Sequence, residues 1–234
     1  MLDLIVLCEG QTEREFCRQV VGPYVVASGV ALAGTLVGKP QRKRGGIRPW
    51  IVYRAELERL AKERADRHLA VLVDYYAMPD SWPGRMESRG KPAGDRGVHV
   101  ENCLSAEGNA IFAGRFHPCV QLHEFESLLF VDPDIAAMSI AVGGGAINHQ
   151  SLATQMKAIR AECGGSVEQI NDSPELAPSK RLTAIARGYD KVAWGVTAVA
   201  DVSVPVLRDG CPWLDRWLTR IANLTASADG GKGV

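Results

Sequence analysis

Residues 2–8 form a short, almost unbroken apolar run that stops at Glu9-Gly10. Such a run, too short for a helix and bounded by a turn, predicts a strand buried on both faces of a largely parallel sheet. A helix should follow at once: Thr12 and Glu15 have capping-box spacing, and Phe16, Val20 and Val21 recur on one face, which predicts residues 13–27 helical with Thr12 as N-cap. Residues 31–37 suit a second strand, 39–46 a loop, and Pro49 the first turn of a helix reaching about residue 66. The apolar run 68–74 then repeats the first pattern and ends in Asp74. Seven prolines and glycines between 77 and 97 predict a long loop, followed by a helix over 98–111. A third apolar run, 119–122, leads into His123-Glu124-Phe125-Glu126.

Beyond that point the pattern is helical: a helix near 150–161, a glycine break at 143–145, a polar loop at 171–178, and a last amphipathic helix around Trp213, Leu214, Trp217, Leu218 and Ile221. The small, glycine-rich tail from 225 predicts disorder. Strands alternating with helices, no repeat and no linker composition together predict one α/β domain over residues 1–224, with a mostly parallel sheet flanked by helices and a helical C-terminal part.

Composition adds exclusions. At 234 residues with 46% hydrophobic content the chain can build a packed core. Lys+Arg and Asp+Glu both number 27, so no global charge advertises a polyanionic partner, and any such site must be local. Six cysteines without a CxxC pair read as scattered thiols of a reducing compartment. Residues 4–7 are too short for a signal peptide and no window nears 18 apolar residues, so a cytoplasmic protein without a membrane segment is expected.

Three apolar runs thus end in acid, at Glu9, Asp74 and Glu124/Glu126. In open α/β sheets ligands collect at the carboxyl ends of strands. Carboxylates gathered there need a cation to stay ionised together, and an all-oxygen set suits Mg²⁺ or Mn²⁺ better than zinc. Glu9 and Glu13, four apart across a strand-to-helix turn, could share one metal. The plain alternatives are a turn or capping role for Glu9 and Asp74, and a helix-dipole role for Glu13. Spacing does not decide between Glu124 and Glu126. A zinc-protease HExxH reading at His123 fails because Ser127 stands where the second His belongs, and Gly143-Gly144-Gly145 lacks the Lys-Ser/Thr of a phosphate loop.

Glu9-Gly10-Gln11-Thr12-Glu13 matches the E-G-x-T-E turn of the Toprim fold, in the branch of the overcoming-lysogenization-defect nucleases. The chain also resembles the domain-of-unknown-function 4276 family through Asp74-Tyr75-Tyr76-Ala77-Met78-Pro79, His123-Glu124-Phe125-Glu126-Ser127-Leu128-Leu129-Phe130, Ala177-Pro178-Ser179-Lys180-Arg181-Leu182, Gly188-Tyr189-Asp190-Lys191 and Cys211-Pro212-Trp213. The resemblance implies a Toprim, Rossmann-like sheet, metal-binding roles for Glu9 and Glu13, and a neighbouring AAA or ABC-type ATPase partner in a phage-defence or toxin-like system. It departs from Toprim enzymes in placing Tyr76 where a D-x-D motif has its second acid.

Two stretches are candidates for nucleic acid. Arg42, Lys43, Arg44 and Arg48 lie in a glycine-containing loop able to follow phosphates, or form a plain solvated loop. Lys180 and Arg181 follow Ser179 at a predicted helix start, a phosphate site or merely an N-cap. The leading expectation is Mg²⁺- or Mn²⁺-dependent phosphodiester hydrolysis of DNA or RNA. In it Glu9, Glu13, Asp74 and Glu124 or Glu126 hold metal, Glu9 is an alternative general base, and Lys180 neutralises charge. The rival is a degenerate Toprim module that binds nucleic acid or regulates an ATPase.

Overall fold

The computed structural model describes residues 1–38, 45–122, 124–144, 147–170 and 176–229. Where the sequence predicts one domain, the chain divides into two compact units, Met1–Leu122 with Trp217–Val234, and His123–Arg216.

The first unit is built on a four-stranded sheet of β1 (Leu2–Cys8), β2 (Val30–Leu36), β3 (His68–Asp74) and β4 (Cys119–Gln121), in the order β2-β1-β3-β4. Every pairing is parallel. This is the expected α/β, Rossmann-like arrangement, and the two acid-ended runs β1 and β3 lie side by side with Cys8 opposite Leu72. Five consecutive residues of β3 are buried, as a strand covered on both faces requires.

Helix α1 (Gln11–Phe16) starts two residues earlier than predicted. Gly10, in an extended conformation, is its N-cap, and Thr12 lies buried inside the first turn. The Glu15 carboxylate turns outward to Arg14 and Arg18 at 2.9 and 2.7 Å, so the capping box does not form. The helix runs on through a π turn at Cys17–Val21, α2 (Gly22–Val25) and a 3₁₀ turn at Val26–Ser28. Helix α3 (Trp50–Glu63) has Pro49 as its N-cap and closes over β3. A short α4 (Arg85–Ser88) interrupts the predicted loop, and α5 (Ala93–Phe112) begins five residues before the predicted start. Gly97 is tolerated in α5 because a side chain there would come within 3.0 Å of the Val120 carbonyl, so glycine permits the close approach of α5 to β4. Leu7, Val71 and Val73 of the sheet pack with Trp50, Tyr53, Leu57, Trp82 and Leu104 in one buried cluster.

Residues 224–229 form α12 (Leu224–Asp229) instead of opening a disordered tail, and Thr225 Oγ1 donates to the Ser28 carbonyl at 2.8 Å.

At the start of β3 the rings of His68 and His117 stack 9° from parallel, with Nδ1 and Nε2 at 2.8 Å. Burial, the His68 charge and Arg220 push the His117 pKa down to about 4. Because the folded state disfavours the cation, this pair's contribution is complete above pH 6.5 and is lost as pH falls from there toward 4. Thermal or denaturant unfolding between pH 7 and 4 should show a loss on the order of 2–3 kcal/mol that a His117→Asn variant lacks.

The second unit is helical. A fully buried 3₁₀ segment, Phe125–Phe130, leads to α6 (Pro133–Gly144), α7 (His149–Glu162), α8 (Pro178–Ile185), a π turn at Lys191–Gly195, α9 (Val196–Asp201) and α10 (Val204–Gly210). Helix α6 continues through Gly143 and Gly144 where a break is predicted, because the Trp194 ring rests on both: an added Cβ would lie 2.8 and 3.0 Å from it. Helix α11 (Pro212–Ala222) carries the chain from this unit back into the first. Among the described residues no helix is long and apolar enough to cross a membrane.

Candidate functional site

Parallel pairing of β1 with β3 brings their carboxyl ends to one edge of the sheet. The Glu9 amide extends the ladder by donating to the Leu72 carbonyl at 3.1 Å. Its side chain then reaches sideways, and Glu9 Oε2 accepts the Asp74 amide at 3.1 Å. The two acids are therefore held together through the backbone of the second. Glu13, one turn on in α1, is only 5% exposed, and its carboxylate folds back over the turn: a Cβ on Gly10 would sit 2.8 Å from Glu13 Oε2. The glycine of E-G-x-T-E thus leaves room for the second carboxylate. A third strand of chain closes the turn, since the Gly46 amide donates to the Glu9 carbonyl at 2.7 Å and the Gly45 amide to the Val37 carbonyl at 3.0 Å. Among the described residues no three His, Cys, Asp or Glu side chains already stand close enough together to hold a metal.

Sequence reasoning overlooked Tyr53. A tyrosine on the buried face of α3 reads as ordinary core, and its ring does pack edge-on against Trp82, centroids 4.8 Å apart. Yet its hydroxyl is fully buried and meets no hydrogen-bond partner. Burial pushes the phenol pKa far above its usual value, and the charges of Glu9, Cys8 and Glu13 push the same way against the opposing Arg48. Arg48 belongs to the same wall: its carbonyl accepts Trp82 Nε1 at 2.7 Å, and its guanidinium reaches the Gly45 carbonyl at 3.5 Å.

In the second unit the predicted acids have partners of their own. Glu124 Oε2 accepts the Ser179 amide at 2.9 Å, so a carboxylate caps the N-terminus of α8. Glu126 is 1% exposed, with Lys191 Nζ 3.0 Å from its Oε2. Burial nevertheless pushes the Glu126 carboxyl up, partly offset by Lys191.

The family model described as Domain of unknown function (DUF4276) matches residues 8–222. The chain belongs to this family. No curated protein and no solved structure matches it.

The segments that resemble DUF4276 fall in both units. In the first, Tyr75 turns inward, its hydroxyl 2.8 Å from both Ser88 Oγ and Arg85 Nη1, while Tyr76 points out and is 47% exposed. In the second, the Arg181 guanidinium bonds the Leu176 carbonyl and Glu162, both at 3.1 Å, and Lys180 is exposed. Arg42, Lys43 and Arg44, together with His123, lie outside the described residues. The described residues that flank the basic run, Val37, Gly45 and Gly46, are the ones bonded to each other and to Glu9. The first unit of this DUF4276 protein thus unites Glu9, Asp74 and Glu13 in one turn region, and the second engages Glu124 and Glu126 locally.

Proposed function

We propose that this DUF4276 protein is a Mg²⁺- or Mn²⁺-dependent nuclease of Toprim type, related to the overcoming-lysogenization-defect enzymes, acting on DNA or RNA phosphodiesters with a neighbouring ATPase as partner. The observation that carries the reading is the 3.1 Å bond from the Asp74 amide to Glu9 Oε2, which places two carboxylates at adjacent parallel strand ends with Glu13 on the same turn. Strand ends of this kind are where α/β sheets bind ligands.

The donor set fits a hard cation: Glu9, Glu13 and Asp74 would supply only carboxylate oxygens, on a backbone that holds Glu9 and Asp74 side by side. A bound ion of this class would supply charge neutralisation and an activated water. Glu9 orients Asp74 by accepting its amide, Gly10 leaves space for Glu13, and Gly45 and Gly46 bring the Arg48 wall against the turn. With Glu124 and Glu126 already engaged at Ser179 and Lys191, the reading assigns the metal to the three acids of the first unit.

A second reading, a degenerate module that binds nucleic acid or regulates the ATPase, draws on Tyr76, an outward phenol where Toprim enzymes have an acid. The test is incubation of the purified full chain, alone and with the ATPase, with plasmid, single-stranded DNA and RNA in Mn²⁺, Mg²⁺ or chelator. Metal-dependent strand cleavage is expected. Unchanged substrates under all conditions, together with no Mn²⁺ binding, would overturn the nuclease reading.

A further inference from the structure

We infer that Tyr53 is the positioning residue of the acidic site: its hydroxyl donates to the carboxylate oxygens of Glu9 or Glu13 that face away from a bound cation, and so fixes their orientation. This rests on the reading of Glu9, Glu13 and Asp74 as cation ligands.

A fully buried hydroxyl with no partner is costly, since the group has left water and regained nothing. Tyr53 shares its buried cluster with Leu7, two residues before Glu9, and with Val37, whose carbonyl holds Gly45 beside the Glu9 carbonyl. Its ring cannot turn away freely, being set edge-on against Trp82, which is itself bonded to Arg48. Glu9 and Glu13 lie near enough for their charges to act on the phenol, and ionised carboxylates accept and never donate. Burial first, and the neighbouring acid charges after it, keep the phenol protonated, hence a donor. Carboxylates that ligate metals are generally themselves hydrogen-bonded by such outer groups, and loss of one weakens metal binding about 10–100-fold.

The experiment compares Mn²⁺ binding, by calorimetry or electron paramagnetic resonance of the free ion, in the wild-type full chain, Tyr53→Phe and Leu57→Ala. Leu57 is buried one turn further along the same helix and provides the core control. Tyr53→Phe should bind Mn²⁺ about 10–100-fold more weakly, with Trp emission unchanged. Without metal it should unfold at a denaturant midpoint no lower than wild type, because the hydroxyl removed has no bond to lose. Leu57→Ala should be less stable yet bind Mn²⁺ like wild type. Equal affinity of Tyr53→Phe and wild type overturns the role of Tyr53 and leaves the metal reading standing. Equal weakening in both variants, or a Tyr53→Phe protein that fails to fold, makes the residue structural and overturns it too. A wild type that binds no Mn²⁺ removes the metal reading and this role with it.

Discussion

Glu9→Gln should reduce metal-dependent cleavage by at least about 10²-fold, the equivalent of roughly 3 kcal/mol of transition-state stabilisation, while the fold remains intact. The substitution is nearly isosteric. The glutamine carbonyl oxygen can still accept the Asp74 amide that Glu9 Oε2 accepts at 3.1 Å, so the local backbone keeps its bond. What disappears is the negative charge, and with it a ligand for a hard cation. Asp74→Asn should act in the same direction. Rates on the preferred nucleic acid at saturating Mn²⁺, beside unfolding curves for each variant, separate the two effects. Cleavage retained within a few-fold in both variants would remove these acids from the chemistry.

Glu101→Ala should cost about 2–3 kcal/mol of stability, mostly through the buried amide it strands, a large share of the roughly 5–15 kcal/mol that holds a typical domain together. Glu101 lies on α5, only 5% exposed, and serves two partners at once. Its Oε1 accepts the Val120 amide of β4 at 2.9 Å, and its Oε2 pairs with Arg220 Nη2 at 3.1 Å. Arg220 also donates to the Pro118 carbonyl at 2.9 Å. Alanine would strand an amide at the short edge strand and leave a half-buried guanidinium with one partner fewer. Glu101→Gln keeps the amide bond and loses the ion pair, so it should cost less than half as much. A denaturation midpoint for Glu101→Ala close to wild type would refute this account.

The strands were the legible part of the fold. The runs 2–8 and 68–74 are apolar because both faces of β1 and β3 are covered, and that environment leaves a direct mark on composition. Boundaries set by backbone detail were not legible. Thr12 has the chemistry of an N-cap, but the chain turns at Gly10, where no side chain competes and Glu13 needs the space. Gly97 and Gly143 look like breaks in a one-dimensional pattern, and in space they are the points where a carbonyl and an indole ring come close. Glu9, Glu13 and Asp74 could be singled out because acid after an apolar strand is conspicuous. Tyr53 could not, because nothing local distinguishes a core tyrosine whose hydroxyl is satisfied from one whose hydroxyl is not. The partners of Glu124 and Glu126 were equally hidden, since Ser179 and Lys191 lie more than 50 residues further along the chain.

The return of residues 217–229 to the first unit fixes an order of events in synthesis. All four strands and Glu9, Glu13 and Asp74 have been made by residue 121, yet Arg220, the cation that neutralises buried Glu101, is translated about a hundred residues later. At ribosomal speeds of about 5–20 residues per second the sheet waits on the order of 5–20 seconds before that cation is made. The unit that carries the acidic turn is thus begun first and completed last, and a chaperone or a shortened chain would act on it during that interval.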